Sequence, residues 1–195
     1  MPLAAKKAKK AEPEIVINFP QKYYVIGADL GLKRPGFCKL TVEKTDNEIR
    51  LTDIKLLSVD NKKDTKKCHG QLIDEIMKEF TAFIPDDKDT PCFFVREHEI
   101  SKQKNMGERY ISKVIGMMDW LIYRLNTTWD DKLYPVTIKA TVAGSGKATK
   151  EEVAKGLLPY VGNIQYANDD ESDATAVAIA WLIKHNQIVS KAVKQ

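Results

Sequence analysis

The alternation of apolar and polar positions predicts that the chain begins with three strands. The apolar segment 23–28 stops at Asp29, a pattern typical of a buried central strand that ends in a turn. Two more strands are predicted at residues 37–42 and 49–57, separated by a polar segment that has the composition of a hairpin loop. The first 60 residues therefore predict the beginning of a sheet.

Helical spacing of apolar residues dominates the rest of the chain. The predicted elements are a helix at 71–83, a strand at 92–95, a long helix at about 105–125, a strand at 134–138, and helices at about 150–160 and 170–185. The resulting order is βββαβαβαα. It predicts an α/β fold in which a five-stranded mixed sheet is flanked by helices.

Composition divides the chain into a short tail and one domain. Residues 1–20 are rich in Ala, Lys, Glu and Pro, so we predict a disordered basic tail, with a single domain at residues 21–195. The net charge of +4 comes from 31 Lys and Arg against 27 Asp and Glu, and much of the excess lies in the tail. A nucleic-acid partner must therefore be argued from local clusters of basic residues rather than from overall charge.

The cysteines and the apolar segments predict where the protein works. The three cysteines are an odd number without paired spacing, and the N-terminus lacks the apolar core of a signal peptide. No segment approaches the apolar length of a membrane span. We therefore expect a cytoplasmic protein without a membrane partner.

Acidic residues follow two of the predicted strands. Asp29 ends the central strand, at the edge where open α/β sheets place their ligands, although a turn-forming aspartate is the ordinary alternative. Glu97 and Glu99 end the strand FFVREHE and share one of its faces, because side chains alternate along a strand. A solvated strand end explains that second pair equally well.

Two more acids, Asp170 and Asp173, begin the last helix. Their spacing of three residues projects both from one side of its first turn, where they could converge on one cation. Helix capping competes with this interpretation, because acids in a first turn are favoured by the helix dipole and by free N–H groups.

Taken together, the acids predict a carboxylate site for hard cations. Mg²⁺ prefers oxygen ligands, and Mn²⁺ is a natural substitute for it. Two such ions could activate a water molecule and stabilise the leaving oxygen of a phosphodiester. Two-metal phosphodiester hydrolysis is therefore a candidate reaction for these acids.

Four segments in the same order resemble the RuvC-type Holliday junction resolvases, which belong to the RNase H-like superfamily. IGADLG at residues 26–31 resembles the opening strand of that family, and FVRE at 94–97 resembles the strand that carries its second acid. IKATVAGSG at 138–146 and DESDATAVA at 170–178 resemble its basic glycine-containing segment and its terminal helix. The resemblance covers residues 22–186, and the divergence together with the lysine tail suggests a phage-encoded relative.

The resemblance implies a homodimeric endonuclease that cuts a four-way junction, with replication forks and flaps as further candidate substrates. It implies that Asp29, Glu97, Asp170 and Asp173 hold two Mg²⁺ ions, with Glu99 as the alternative to Glu97. It also implies that Lys139 and Lys150 contact phosphates, and that Ile100 stands where the family often has a base-stacking aromatic. Local charge alone adds Lys147 as a DNA-binding candidate. The resemblance would put Lys102, Lys104 and Arg109 near the junction centre as further candidates, and a solvated loop and helix start is the alternative.

Two other functions remain open at this point. A junction-binding protein without catalysis would share the resemblance, although all four acids are present. A small actin-like or sugar-kinase-like ATPase would also begin with a strand and an Asp-x-Gly turn. The segment Gly144-Ser145-Gly146-Lys147 does not support nucleotide binding, because the Walker pattern requires Ser or Thr directly after the lysine and Ala148 stands there.

Overall fold

The computed structural model describes residues 18–45, 48–61, 66–98 and 106–192, with only the backbone described at 106–110. The predicted tail lies almost entirely outside these ranges. Within them, the elements in chain order are β1 (Lys22–Asp29), β2 (Gly36–Lys44), β3 (Ile49–Ser58), α1 (His69–Phe83), β4 (Cys92–Glu97), α2 (Met106–Arg124), β5 (Asp131–Leu133), α3 (Pro135–Ala143), α4 (Lys150–Val161) and α5 (Asp169–Lys184).

The strands form one mixed sheet in the order β3-β2-β1-β4-β5. The hairpins β1–β2 and β2–β3 are antiparallel, whereas β4 runs parallel to both β1 and β5. The predicted fold class, a five-stranded mixed sheet flanked by helices, is confirmed. Because β1 is the middle strand, Asp29 lies at the centre of the sheet edge that also contains the end of β4.

Helices cover both faces of the sheet, which explains why its central strands are apolar throughout. On one face, Trp181 of α5 packs with residues of α3 and α4 against Val25 and Val95. On the other face, α1 and α2 pack against Ile26 and Phe37. None of the helices in the described part of the chain has both the length and the apolar character needed to cross a bilayer.

The predicted strand at 134–138 is wrong. The last strand is the polar segment Asp131–Leu133, and Pro135 begins helix α3. Proline is favoured at the first helical position because its φ angle is already helical and no N–H is needed there. The β-branched residues Val136 and Thr137 gave the segment its strand-like composition, but the position of the proline determines the local structure.

The glycine-containing loop that follows α3 is held by close contacts. Gly144 ends the helix with a left-handed φ of 82°. A Cβ atom on Gly146 would lie only 2.7 Å from the Val136 side chain, and the Ala148 N–H donates to the Ser145 carbonyl at 3.0 Å. The loop is therefore packed against α3.

Candidate active site

The first two acids lie side by side at one edge of the sheet. Ala28 of β1 pairs in parallel register with Arg96 of β4, so the next residue of each strand, Asp29 and Glu97, lies at the shared carboxyl end. Side chains alternate along strands, and both carboxylates therefore project from the face that α5 covers. Asp29 and Glu97 are both partly buried there.

Helix α5 brings the other two acids to the same edge. Its first turns lie directly on the sheet, because a Cβ atom on Gly27 would stand 2.3 Å from the Ala174 carbonyl oxygen and one on Gly36 would stand 2.0 Å from that of Asp170. Only glycine allows the backbones to approach this closely. The start of α5, with Asp170 and Asp173, is thereby fixed beside the end of β1.

Helix capping does not account for these two aspartates. The side chain of Asn168 is the N-cap and accepts hydrogen bonds from the N–H groups of Asp170 and Glu171. The carboxylate of Asp170 pairs with Arg34 and that of Asp173 with Lys150. Both carboxylates thus remain directed towards neighbouring side chains at the edge of the sheet.

A buried carboxylate supports the position of α5. Glu171 accepts hydrogen bonds from the Ser58 hydroxyl at 2.8 Å and from the Ala167 N–H at 2.8 Å, and the Asn168 amide donates to Ser58 at 2.9 Å. These bonds connect the beginning of α5 to the end of β3. Glu171 is only 5% exposed, so its role is to anchor the helix.

The electrostatics show that the acids act on one another. Burial, followed by the charges of Glu97, Asp173 and Asp170, raises the pKa of Asp29 from 3.8 to about 7. Burial and the charge of Asp173 raise the pKa of Glu97 from 4.5 to about 7. Burial also raises the pKa of Asp173, partly offset by Lys150. The four carboxylates therefore form one coupled group.

Basic side chains surround this acidic group. Lys150, at the start of α4, places its Nζ 3.1 Å from Asp173 and 3.6 Å from Asp169. The Lys139 charge lowers the pKa of Glu97, while its Nζ donates to the Ala148 carbonyl at 2.9 Å. Lys139 and Lys150 thus lie beside the acids, and their contact with phosphates stays a prediction.

The oxygen donors of the four carboxylates fit divalent metal ions, although the carboxylates do not yet form a complete coordination site. Among the residues that the structure describes, no three His, Cys, Asp or Glu side chains are close enough to hold a metal ion as they stand. Two of the carboxylates are engaged by Arg34 and Lys150 instead. Added positive charge favours the ionised form of carboxylates that raise one another's pKa values, and Mg²⁺ prefers such oxygen donors.

Of the remaining predicted site residues, the structure describes the side chain of one, Lys147. Lys147 is exposed on the loop between α3 and α4, and its N–H donates to the Ser145 hydroxyl. The others lie outside the described residues, or have a described backbone but no described side chain; they are Glu99, Ile100, Lys102, Lys104 and Arg109.

Arg34 also lies at the acids, although the sequence pattern did not predict it. This residue follows the Asp29 turn, and its Nε donates to Asp170, which is 136 positions away in the chain. A signal was present, because two basic residues, Lys33 and Arg34, stand between the predicted catalytic aspartate and the next strand. Their spacing alone could not indicate which of them turns towards the acids.

Comparison with known proteins identifies the fold. No family model matches the chain. In sequence, the chain is 23% identical over 155 residues to the crossover junction endodeoxyribonuclease RuvC of Rhizobium etli (strain CIAT 652). The matched region covers 80% of this chain and 86% of that protein. In structure, Thermus thermophilus RuvC superposes with a TM-score of 0.59 at 19% identity, covering 84% of this chain and 97% of that chain. The chain has the RuvC fold.

Two solved complexes extend this RuvC likeness. T. thermophilus RuvC in complex with a Holliday junction substrate gives a TM-score of 0.61 at 19% identity, covering 81% of this chain and 92% of that one. The fowlpox virus resolvase in complex with its substrate Holliday junction DNA gives 0.52 at 18% identity, covering 82% and 99%. The resemblance predicted from the four sequence segments is therefore confirmed, and phage origin stays a prediction.

Proposed function

We propose that this chain is an endodeoxyribonuclease that resolves Holliday junctions in a reaction that depends on Mg²⁺. The observation that carries the proposal is the meeting of Asp29, Glu97, Asp170 and Asp173 at one edge of the sheet, in a fold shared with RuvC. An electrostatically coupled set of four acids is unnecessary for binding a polyanion such as DNA. Such a set of acids is instead suited to binding divalent cations beside a phosphate.

We assign the four carboxylates as ligands of two Mg²⁺ ions, for which Mn²⁺ should substitute. When bound, such ions would activate a water molecule and neutralise the leaving 3′-oxygen. Lys139 and Lys150 contribute positive charge beside the acids, which orients a scissile phosphate and offsets its repulsion by the carboxylates. Asn168 and Glu171 contribute indirectly, because they fix the first turn of α5.

The proposed substrate is branched DNA, foremost the four-way junction, with forks and flaps as further substrates. The two resolvases solved with Holliday junction DNA support this choice through their shared fold. We further propose that residues 21–195 form one nuclease domain that acts as a homodimer in the cytoplasm. Helix α2 supports a dimer because it exposes large apolar side chains, with Trp120 51% and Tyr123 74% exposed.

The test is strand cleavage of matched linear, forked and four-way DNA by the purified protein in Mg²⁺, with the nicks mapped on every strand. The wild type should cut the four-way DNA in two strands and leave the linear DNA intact. Asp173→Asn should bind the junction with similar affinity and fail to cut it. Undiminished cleavage by this variant would remove the acids from the mechanism.

Junction binding, junction cleavage and ATP-dependent melting together separate the alternative functions. Tight junction binding without incision by the wild type, in either Mg²⁺ or Mn²⁺, would favour a binding protein without catalysis. An ATP-dependent rise in the melting temperature would favour the ATPase alternative, whereas the proposed nuclease should show none.

A further inference from the structure

The connection between β1 and β2 is held firmly against the segment that follows β3. The Asn61 N–H donates to the Lys33 carbonyl at 2.8 Å, and its side-chain amide donates to the Leu32 carbonyl at 3.4 Å. The Val59 N–H donates to the Pro35 carbonyl at 3.3 Å. The backbone on both sides of residue 34 is therefore fixed, which limits where that side chain can reach.

From this fixed position, Arg34 reaches into the acidic group. Its Nε donates to the Oδ2 atom of Asp170, and the two side chains are 23% and 19% exposed. A guanidinium remains charged at every physiological pH, and a partly shielded charged hydrogen bond is stronger than a pair in open water. The neighbouring Lys33, by contrast, is exposed to solvent.

The Arg34 contact lies on a carboxylate that the proposed function requires for metal binding. A divalent cation that approaches Asp170 meets a positive charge already hydrogen-bonded to one of its oxygens. The two cations repel each other and compete for the same ligand. Metal binding at Asp170 therefore opposes the Arg34–Asp170 pair, and loss of the pair would leave a guanidinium at the edge of the site.

We propose that Arg34 is a charge-exchange residue of the active site, which holds Asp170 in the metal-free protein and turns to a DNA phosphate when a divalent ion takes that carboxylate. This inference rests on the proposed function. Arginine suits the second role because its planar donors match the geometry of phosphate oxygens. Arg34 would thus lower the affinity for metal in the absence of DNA and raise the affinity for DNA once metal is bound.

The first test measures metal binding without DNA, as the Mg²⁺-dependent rise in melting temperature of the full chain. Arg34→Gln should reach half-maximal stabilisation at a Mg²⁺ concentration about three- to tenfold below that of the wild type, since the competing ion pair is gone. Arg34→Lys keeps the charge and should stay within about twofold of the wild type. Arg34→Ala is a second neutral variant, should the glutamine protein fail to fold.

Lys33→Gln is the matched control. It removes the same unit of charge from the adjacent, exposed position and should leave the half-maximal Mg²⁺ concentration within about twofold of the wild type. An Arg34→Gln protein that binds Mg²⁺ no more tightly than this control would overturn the inference. If the wild type itself shows no Mg²⁺-dependent stabilisation, the proposed metal centre fails as well, so the two failures are distinguishable.

The second test measures the affinity for four-way DNA in EDTA and in Ca²⁺, an ion whose looser coordination should support binding better than cleavage. In EDTA, Arg34→Gln and Lys33→Gln should bind the DNA equally well. In Ca²⁺, Arg34→Gln should bind at least about threefold more weakly than Lys33→Gln, since only there does the wild-type guanidinium face a phosphate. If the ratio of the two variants' DNA affinities is the same in EDTA and in Ca²⁺, the proposed exchange of Arg34 from Asp170 to phosphate is contradicted.

Discussion

Replacing Asp29 with Asn should stabilise the metal-free protein above neutral pH, even though it removes a proposed metal ligand. Burial and three neighbouring carboxylates raise the pKa of Asp29 from 3.8 to about 7. Each pKa unit corresponds to about 1.4 kcal/mol, so keeping this group ionised costs the folded state up to about 4 kcal/mol. Because the coupled acids share protons, we expect a gain of about 2 kcal/mol.

The sign of the effect depends on pH. The folded-state pKa of Asp29 lies above its unfolded value, so the group contributes stability that is fully present below about pH 4 and is lost as the pH rises through about 7. Asparagine does not titrate. The stability difference between the variant and the wild type should therefore be small at about pH 4 and grow towards about pH 8.

Urea unfolding in EDTA across this pH range measures the difference. Asp86→Asn, in an exposed loop, is the control and should follow the wild type. Adding Mg²⁺ at about pH 8 should then stabilise the wild type more than Asp29→Asn. The reasoning is refuted if Asp29→Asn is less stable than the wild type at about pH 8 in EDTA, or if the stability difference does not change with pH.

Three further predictions concern the supports of the site. Gly36→Ala should lower the free energy of unfolding by at least about 2 kcal/mol in urea titrations, because its Cβ would lie 2.0 Å from the Asp170 carbonyl oxygen. The control Gly116→Ala should be neutral or stabilising, because a Cβ at that position meets nothing within 4 Å. Glu171→Gln should cost about 2 kcal/mol in the same titration, because a buried amide group would face donors that now bind a carboxylate. Lys139→Gln should slow junction cleavage about tenfold or more in single-turnover assays while the melting temperature changes little, and an unchanged rate would remove Lys139 from the site.

The sequence predicted the order of the elements where the apolar pattern was long. Segment 23–28 is apolar at nearly every position because helices cover both faces of β1, so it predicted a central strand. The short strand Asp131–Leu133 lacks such a pattern, since it is polar and only 3 residues long. Its place in the sheet depends on pairing with β4, which a local pattern does not contain.

The candidate site was predicted in part for a similar reason. Asp29 and Glu97 end apolar strands, and the topology of a parallel pair brings such ends together, so local patterns made them candidates for a shared site. The position of Arg34 depends instead on contacts between the β1–β2 connection and distant segments, among them the hydrogen bonds of Asn61. Contacts between residues so far apart in the chain cannot be predicted from local patterns of residue spacing.

The claim that underlies the whole account is that the carboxylates at the end of β1 bind divalent metal ions. The most direct test is anomalous X-ray diffraction from crystals of the full chain soaked in Mn²⁺. The account predicts anomalous peaks within ligand distance of Asp29, Glu97, Asp170 and Asp173, and their loss in Asp29→Asn crystals. Peaks located elsewhere, or no peak at these carboxylates at saturating Mn²⁺, would contradict it.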